Sequence, residues 1–183
     1  MRCSEIKIGD RVVSDDSPAF IIAEIGNNHN GDIDLAYQLI DTAADCGAEA
    51  VKFQVKEIEL AFPKDLLDSP YQGPNSFGRT YREHKQVLEL SEDDLTELKD
   101  LADGLGLIFF STPFDVDSVD LLERVGQPIY KIASFHVNRL DLIEYVCQTG
   151  KPVILSTGMS TLDEIDAAVN LIRKYTEAFV VLQ

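Results

Sequence analysis

Two lysines lie within apolar segments of this chain, where a charged side chain needs an anionic partner. Lys52 occurs in the sequence Val-Lys-Phe and Lys131 in the sequence Tyr-Lys-Ile. Removing an ammonium group from water is unfavourable unless an anion compensates for the lost hydration. One interpretation is that each lysine forms a structural ion pair with Glu24 or another core acid. The other is that the two lysines together bind an anionic ligand.

Hydroxyl groups follow apolar segments in the same way, at Thr112, Ser134 and Ser156. Two ammonium groups with several hydroxyls match the charge and hydrogen-bonding needs of a phosphorylated carboxylate. The alternative is an aldolase that uses Lys52 or Lys131 as a Schiff-base amine. The chain contains neither a GxGxxG sequence nor a Walker sequence, so a dinucleotide or a nucleoside triphosphate is not indicated.

Three further polar residues are candidates for catalysis or sugar binding. Glu24 ends the first apolar segment, where it could be a general base, a ligand of substrate hydroxyls, or only the partner of Lys52. Asn28 lies in an Asn/Gly-rich tract whose amides suit sugar hydroxyls, although such tracts also form ordinary turns. His136 could act as an acid or a base near neutral pH.

Strands and helices must alternate to position these residues. Six short apolar segments are each followed by a capping signal, a helical apolar pattern or a polar loop, and they predict strands at 20–24, 50–54, 107–111, 129–133, 153–155 and 178–182. This order is typical of a parallel sheet covered by helices. Polar residues follow strand after strand, which favours a closed barrel over an open doubly wound sheet with one switch point.

The predicted fold class is therefore α/β, a parallel (β/α)₈ TIM barrel of which residues 1–183 provide about the first six strands. The chain has 183 residues, whereas such a barrel usually needs about 250. An unusual open half-barrel is the alternative. The connection from Lys56 to Leu90 is long and contains Arg79-Thr-Tyr-Arg-Glu-His84, which favours a lid over a substrate anion rather than a solvated surface.

Composition limits the class of partner. The chain has 32 acidic and 16 basic residues and a formal net charge of -16, which disfavours nucleic acid and anionic membranes as partners. It contains no apolar run long enough for a membrane span and no signal-peptide core, so a cytoplasmic location is expected. Three cysteines without CxxC spacing indicate neither a disulfide framework nor a thiolate metal site.

Five motifs in order resemble those of the N-acetylneuraminate (sialic acid) synthase family, which includes the pseudaminate, legionaminate and spore-coat polysaccharide relatives. The motifs lie at Phe20–Gly31, Ala50–Gln54, Ser111–Asp115, Lys131–Ser134 and Leu155–Met159. The resemblance runs from about Ile6 to Gln183. It implies a (β/α)₈ barrel that condenses phosphoenolpyruvate with N-acetylmannosamine or a modified relative, forming a nine-carbon 2-keto acid and releasing phosphate.

The resemblance also implies roles for individual residues. Glu24 and Gln54 would face the amino sugar or the metal-bound water. The residues that would hold phosphoenolpyruvate are Lys52, Thr112, Lys131, Ser134 and Ser156.

A divalent metal, typically manganese, and a homodimer in the full-length protein are implied as well. Gln183 falls where many members have the first metal-binding histidine, and the second lies in sequence that this chain does not contain. The last strands and the family's carboxyl-terminal antifreeze-like domain are also absent, and His136 stands where the family commonly has an acidic residue. These departures leave a non-catalytic phosphosugar-binding chain as a further alternative.

Overall fold

The computed structural model of the chain describes residues 5–182, in which strands and helices alternate along most of the sequence. The strands are β1 Ile6–Ile8, β2 Arg11–Val13, β3 Ile22–Gly26, β4 Ala50–Val55, β5 Ile108–Pro113, β6 Tyr130–Ile132, β7 Val153–Ser156 and β8 Phe179–Leu182. The helices are α1 Ile33–Asp45, α2 Ile58–Ala61, α3 Lys64–Leu67, α4 Tyr81–Val87, α5 Glu92–Gly104, α6 Val116–Val125, α7 Leu140–Gln148 and α8 Leu162–Ile172. All six predicted strands are present, each within two residues of its predicted limits.

Strands β3 to β8 pair in parallel within their sheets, as the alternation of strands and helices in the sequence predicts. They form two three-stranded sheets, β3-β4-β5 and β6-β7-β8, and β5 lies next to β6. Within residues 5–182 no hydrogen-bonded ladder joins β5 to β6, so the wall of the barrel has a seam there. The antiparallel hairpin β1-β2 was not expected from the sequence, because two three-residue strands carry too little periodicity to be recognised.

The strands contribute to two separate apolar cores. Their outward side chains pack against the helices, and their inward side chains pack inside the barrel. On β4 the outward residues Val51 and Phe53 pack with buried helix residues such as Leu95 and Leu98. The inward residues form a second cluster that is closed from below by the hairpin and consists of Ile6, Ile8, Ala50, Phe110, Ile129 and Ile154. Above this inner cluster, toward the carboxyl ends of the strands, the inward positions become polar.

Capping residues set where the helices begin, as the sequence predicts. Asp32 and Asp115 accept backbone N–H bonds at the starts of α1 and α6, and Ser91 and Thr161 form capping boxes at the starts of α5 and α8. Gly126 ends α6 in the left-handed conformation at φ 81°. These signals fix the helix limits closely enough to place the loops at the carboxyl ends of the strands.

The connection from Lys56 to Leu90, predicted as a lid, contains α2, α3 and α4. The ring of His84 contacts the rings of Tyr71 and Phe77, with centroid distances of 4.5 and 5.6 Å. Arg82 pairs with Glu59 and with Asp68. The guanidinium of Arg82 therefore stabilises this segment itself, and a role of the segment as a lid stays a prediction.

Candidate active site

Both buried lysines converge on one carboxylate at the carboxyl end of the inner face. Lys52 Nζ lies 3.0 Å from Glu24 Oε2, and Lys131 Nζ lies 3.7 Å from Glu24 Oε1. The side chains of Lys52 and Lys131 are 3% and 13% exposed, whereas that of Glu24 is 52% exposed. The three groups have a formal net charge of +1, and the carboxylate side of the group is open to solvent. We call this set the lysine cluster.

Strand register explains why these groups meet. Glu24 on β3 pairs directly with Lys52 on β4, so both side chains point inward at the same level. A register shift between Glu24 and Gly26 bends the strand just beyond the carboxylate, and Gly26 adopts φ +57° there. Bulges of this kind commonly redirect a side chain next to a functional site.

Three acceptors surround the Nζ of Lys52. In addition to Glu24, its Nζ donates to Thr112 Oγ1 at 3.2 Å and to the Phe53 carbonyl at 2.9 Å. Burial lowers the pKa of Lys52, and the charge and hydrogen bond of Glu24 oppose that shift. Three acceptors around one buried Nζ favour the protonated form.

The other predicted ligand residues lie around the same mouth. Gln54 points inward from β4 and lies beside Gly26. Ser156 ends β7 and points inward, two residues beyond Ile154, which pairs with Lys131. Ser134 begins a short 3-10 helix, Ser134–His136. Its side chain lies close to Gly158, since a Cβ added to that glycine would be 3.6 Å from Ser134 Oγ. Asn28 is exposed, and its Nδ2 donates to the Ile25 carbonyl at 2.7 Å. Their roles as substrate ligands stay predictions.

His136 faces aromatic rings. Its ring contacts Phe114 and Phe135 at centroid distances of 5.3 and 4.3 Å, and its Nδ1 is buried without a partner among residues 5–182. Burial lowers the pKa of His136 to about 4, so the imidazole is neutral at pH 7. A role for His136 in catalysis, which stays a prediction, would therefore be that of a base.

A second buried ion pair, which the sequence did not predict, lies where the long connection from β4 to α5 begins and ends. Lys56 Nζ contacts Glu89 Oε1 at 2.6 Å, with side chains 1% and 18% exposed. Asp115, which caps α6, also accepts the Glu57 N–H at 2.8 Å. In the sequence, Lys56 directly follows strand β4 and is the first residue of the predicted long connection. A lysine at that position could not be distinguished from an exposed loop residue.

The described residues do not form a metal centre on their own. In the stretch from residue 5 to residue 182 no three His, Cys, Asp or Glu side chains are grouped to hold a cation. Glu24, the carboxylate of the lysine cluster, is already paired with two ammonium groups. Gln183, predicted at the position of a metal ligand, lies outside the described residues.

The fold and the site together define a parallel β/α barrel protein whose polar groups converge at the carboxyl ends of its strands. The sequence profile of the NeuB family matches residues 39–183. The chain belongs to the NeuB family.

Named relatives agree with this assignment. The chain is 38% identical over 173 residues to N-acetylneuraminate-9-phosphate synthase of Mus musculus, covering 94% of this chain and 48% of the relative. It is 39% identical over 157 residues to N,N'-diacetyllegionaminic acid synthase of Legionella pneumophila, covering 85% and 44%. The chain thus spans about half the length of these relatives.

Solved structures agree on the fold. The crystal structure of N-acetylneuraminic acid synthetase from Leptospira borgpetersenii in complex with citrate superposes with a TM-score of 0.82 at 32% identity, covering 98% of this chain and 58% of that one. A truncated 3-deoxy-D-arabino-heptulosonate 7-phosphate synthase from Thermotoga maritima gives 0.67 at 16% identity, covering 97% and 55%, and supports the barrel fold alone. Among the helices in the described part of the chain, none has the length and apolarity to cross a membrane.

Proposed function

We propose that this protein is a nonulosonate synthase that condenses phosphoenolpyruvate with N-acetylmannosamine or a modified relative, giving a nine-carbon 2-keto acid and phosphate. The observation that carries the proposal is the lysine cluster, in which two buried ammonium groups from different sheets meet at one exposed carboxylate. Membership of the NeuB family and the named synthases among the relatives support it. A cytoplasmic location and a homodimer are parts of the same proposal.

The lysines and hydroxyls would bind the donor. Phosphoenolpyruvate carries a phosphate and a carboxylate, and the ammonium groups of Lys52 and Lys131 would offset that charge without a large rearrangement. Thr112 already contacts Lys52, and it would add a hydroxyl at the same level of the barrel. Ser134 and Ser156 would complete the phosphate contacts from the neighbouring strands.

Glu24 would change partners when the donor binds. An incoming anion would compete with the Glu24 carboxylate for Lys52 and Lys131. When the donor binds both lysines, the carboxylate would therefore move toward the open side of the cluster. There it would accept a hydrogen bond from a hydroxyl of the amino sugar or take a proton from the attacking water. Gln54 lies beside the same mouth and would bind the sugar.

In the proposed reaction, the methylene carbon of phosphoenolpyruvate attacks the aldehyde carbon of the sugar and forms the new C–C bond, and the aldehyde oxygen takes up a proton and becomes a hydroxyl. Water then adds to the resulting oxocarbenium carbon, and cleavage of the C–O bond to phosphate leaves the 2-keto group. The two protons of the water replace the proton taken up by the hydroxyl and protonate the released phosphate. A requirement for manganese stays a prediction. Within residues 5–182, no three His, Cys, Asp or Glu side chains are grouped to hold the ion.

A Schiff-base aldolase is less well supported. It needs an unprotonated lysine, and burial does lower the pKa of Lys52. However, the Nζ of Lys52 is surrounded by a carboxylate, a hydroxyl and a carbonyl, all of which accept hydrogen bonds from an ammonium group. Borohydride treatment in the presence of a keto acid would trap an imine, and we expect no such adduct.

Calorimetric titration tests the proposal. Phosphoenolpyruvate, with manganese present, is titrated into the unsubstituted protein and into Lys131→Ala, with Lys151→Ala as the control because Lys151 pairs with Glu123 away from the cluster. We expect saturable binding that Lys131→Ala abolishes and Lys151→Ala retains. Equal binding by Lys131→Ala, or no binding by a protein that melts cooperatively, would contradict the proposal.

A further inference from the structure

The ion pair Lys56–Glu89 closes the base of the long connection between β4 and α5. Glu89 contacts Lys56 twice, because Oε1 lies 2.6 Å from Nζ and Oε2 accepts the Lys56 backbone N–H at 3.2 Å. The Oε1 to Nζ contact is an ion pair between two largely buried side chains. These two residues, more than thirty positions apart in sequence, therefore fix where the connection leaves the barrel and where it returns.

The same ammonium group reaches the loop that follows β5. Lys56 Nζ lies 5.0 Å from the centroid of the Phe114 ring, within cation–π range. Phe114 in turn contacts Phe135 at 5.2 Å and His136 at 5.3 Å. A continuous set of contacts thus runs from Glu89 through Lys56 and Phe114 to the turn Ser134–His136, which directly follows the strand that carries Lys131.

Stability alone does not account for this pair. Desolvation opposes both charges, since burial lowers the pKa of Lys56 and raises that of Glu89. Apolar residues of similar volume in place of a buried ion pair are commonly neutral or stabilising. What apolar residues would not supply is the cation–π contact of Lys56 with the Phe114 ring, through which the pair reaches the turn.

We propose that Lys56 and Glu89 are positioning residues that hold the Ser134–His136 turn, and with it Ser134, in place beside the lysine cluster. The inference rests on the proposed function, because it treats Ser134 as a ligand of the phosphorylated donor. Lys56 and Glu89 act through Phe114 and do not touch the substrate themselves.

A single tryptophan reports on the turn independently of ligand binding. The chain contains no tryptophan, and Phe135 is 50% exposed, so Phe135→Trp introduces one fluorophore on the turn. In that background, the pair is replaced by Lys56→Met with Glu89→Leu. The matched control is Lys99→Met with Asp103→Leu, which removes an ion pair on α5 near the amino-terminal end of β5.

Two measurements are made on each protein: acrylamide quenching of the tryptophan and calorimetric titration with phosphoenolpyruvate. We expect the Lys56/Glu89 variant to melt cooperatively, to show at least about twofold stronger quenching and to bind phosphoenolpyruvate about tenfold more weakly, while the control changes neither property. Glu89→Gln, which keeps the acceptor for the Lys56 N–H, should give an intermediate result and serves if the double variant does not fold.

The outcomes separate this inference from the proposed function. Quenching and affinity that match the control would overturn the positioning role. If no protein binds phosphoenolpyruvate, the unsubstituted one included, the proposed function is wrong, and the quenching data alone decide whether the pair holds the turn. Stronger quenching would then support the contact pathway, and unchanged quenching would refute it.

Discussion

Replacing Glu24 by glutamine should strengthen anion binding while it abolishes turnover. Glu24 is the only negative charge of the lysine cluster, lying 3.0 Å from Lys52 and 3.7 Å from Lys131. An anionic donor must displace this carboxylate before it can contact both ammonium groups. Glu24→Gln keeps the size of the side chain and raises the net charge of the cluster from +1 to +2.

The magnitude follows from Coulomb's law with a correction for exposure. Two unit charges about 4 Å apart interact with roughly 4 kcal/mol at an effective dielectric constant of 20. Because the Glu24 side chain is 52% exposed, solvent screens much of this energy. We take the screened interaction of Glu24 with the lysines as about 1–2 kcal/mol. Its removal should make Glu24→Gln bind phosphoenolpyruvate roughly 5- to 30-fold more tightly than the unsubstituted protein.

Isothermal titration and a phosphate-release assay test both halves of this prediction. The control is Glu49→Gln, which removes one negative charge from an ion pair with Arg11 near the hairpin. Because Lys52 loses its carboxylate partner, we also expect Tm to fall by about 2–8 °C, from a loss of roughly 1–2 kcal/mol. Unchanged or weaker binding by Glu24→Gln in a folded protein would show that Glu24 does not compete with the ligand.

Three further perturbations follow from the geometry. Lys52→Met should abolish phosphoenolpyruvate binding in calorimetry yet change the free energy of unfolding by no more than about 1 kcal/mol, because the remaining Glu24 carboxylate is hydrated; a large loss of stability would mean that Lys52 is mainly structural. His136 has a folded pKa of about 4, below its unfolded value, so the unfolded chain binds more protons at intermediate pH and stability falls as the pH drops. Urea titrations should show about 1–2 kcal/mol less stability at pH 5 than at pH 7 from this residue, and His136→Phe should remove that component; an unchanged slope in the variant would contradict the assignment. Gly31 and Gly47 share φ +79°, but a Cβ on Gly31 would lie 1.9 Å from the Val87 carbonyl oxygen, whereas a Cβ on Gly47 meets nothing within 4 Å. Thermal melts should therefore show a loss of about 3 kcal/mol or more for Gly31→Ala and about 1 kcal/mol for Gly47→Ala, and equal losses would disprove the close approach.

Much of the fold could be predicted because its signals are local. Continuous apolar runs marked the six parallel strands, and capping residues such as Ser91 and Thr161 marked helix starts. The hairpin β1-β2 pairs locally, but its two three-residue strands carry too little periodicity to be recognised. The seam between β5 and β6 and the burial of the hairpin depend on contacts between distant parts of the chain. Ile6 and Ile8, for example, are buried by residues of strands far along the chain, which no short window of sequence reveals.

The candidate site was predictable in composition but not in geometry. A lysine in an apolar strand requires an anion, so Lys52 and Lys131 stood out from their neighbours. The sequence could not show that one carboxylate, Glu24, would serve both lysines, since that depends on the register of β3 and β4 and on the curvature of the wall. Lys56 and Glu89 escaped notice for the same reason, because their contact joins the two ends of a long connection.

The seam between β5 and β6 gives ligand binding a mechanical consequence. Lys52 and Thr112 belong to the first sheet, whereas Lys131 and Ser156 belong to the second. A ligand that contacts both sets would link the two sheets across the seam between β5 and β6. Because such a ligand binds only while the two sheets stay together, its free energy of binding would add to the free energy needed to separate them.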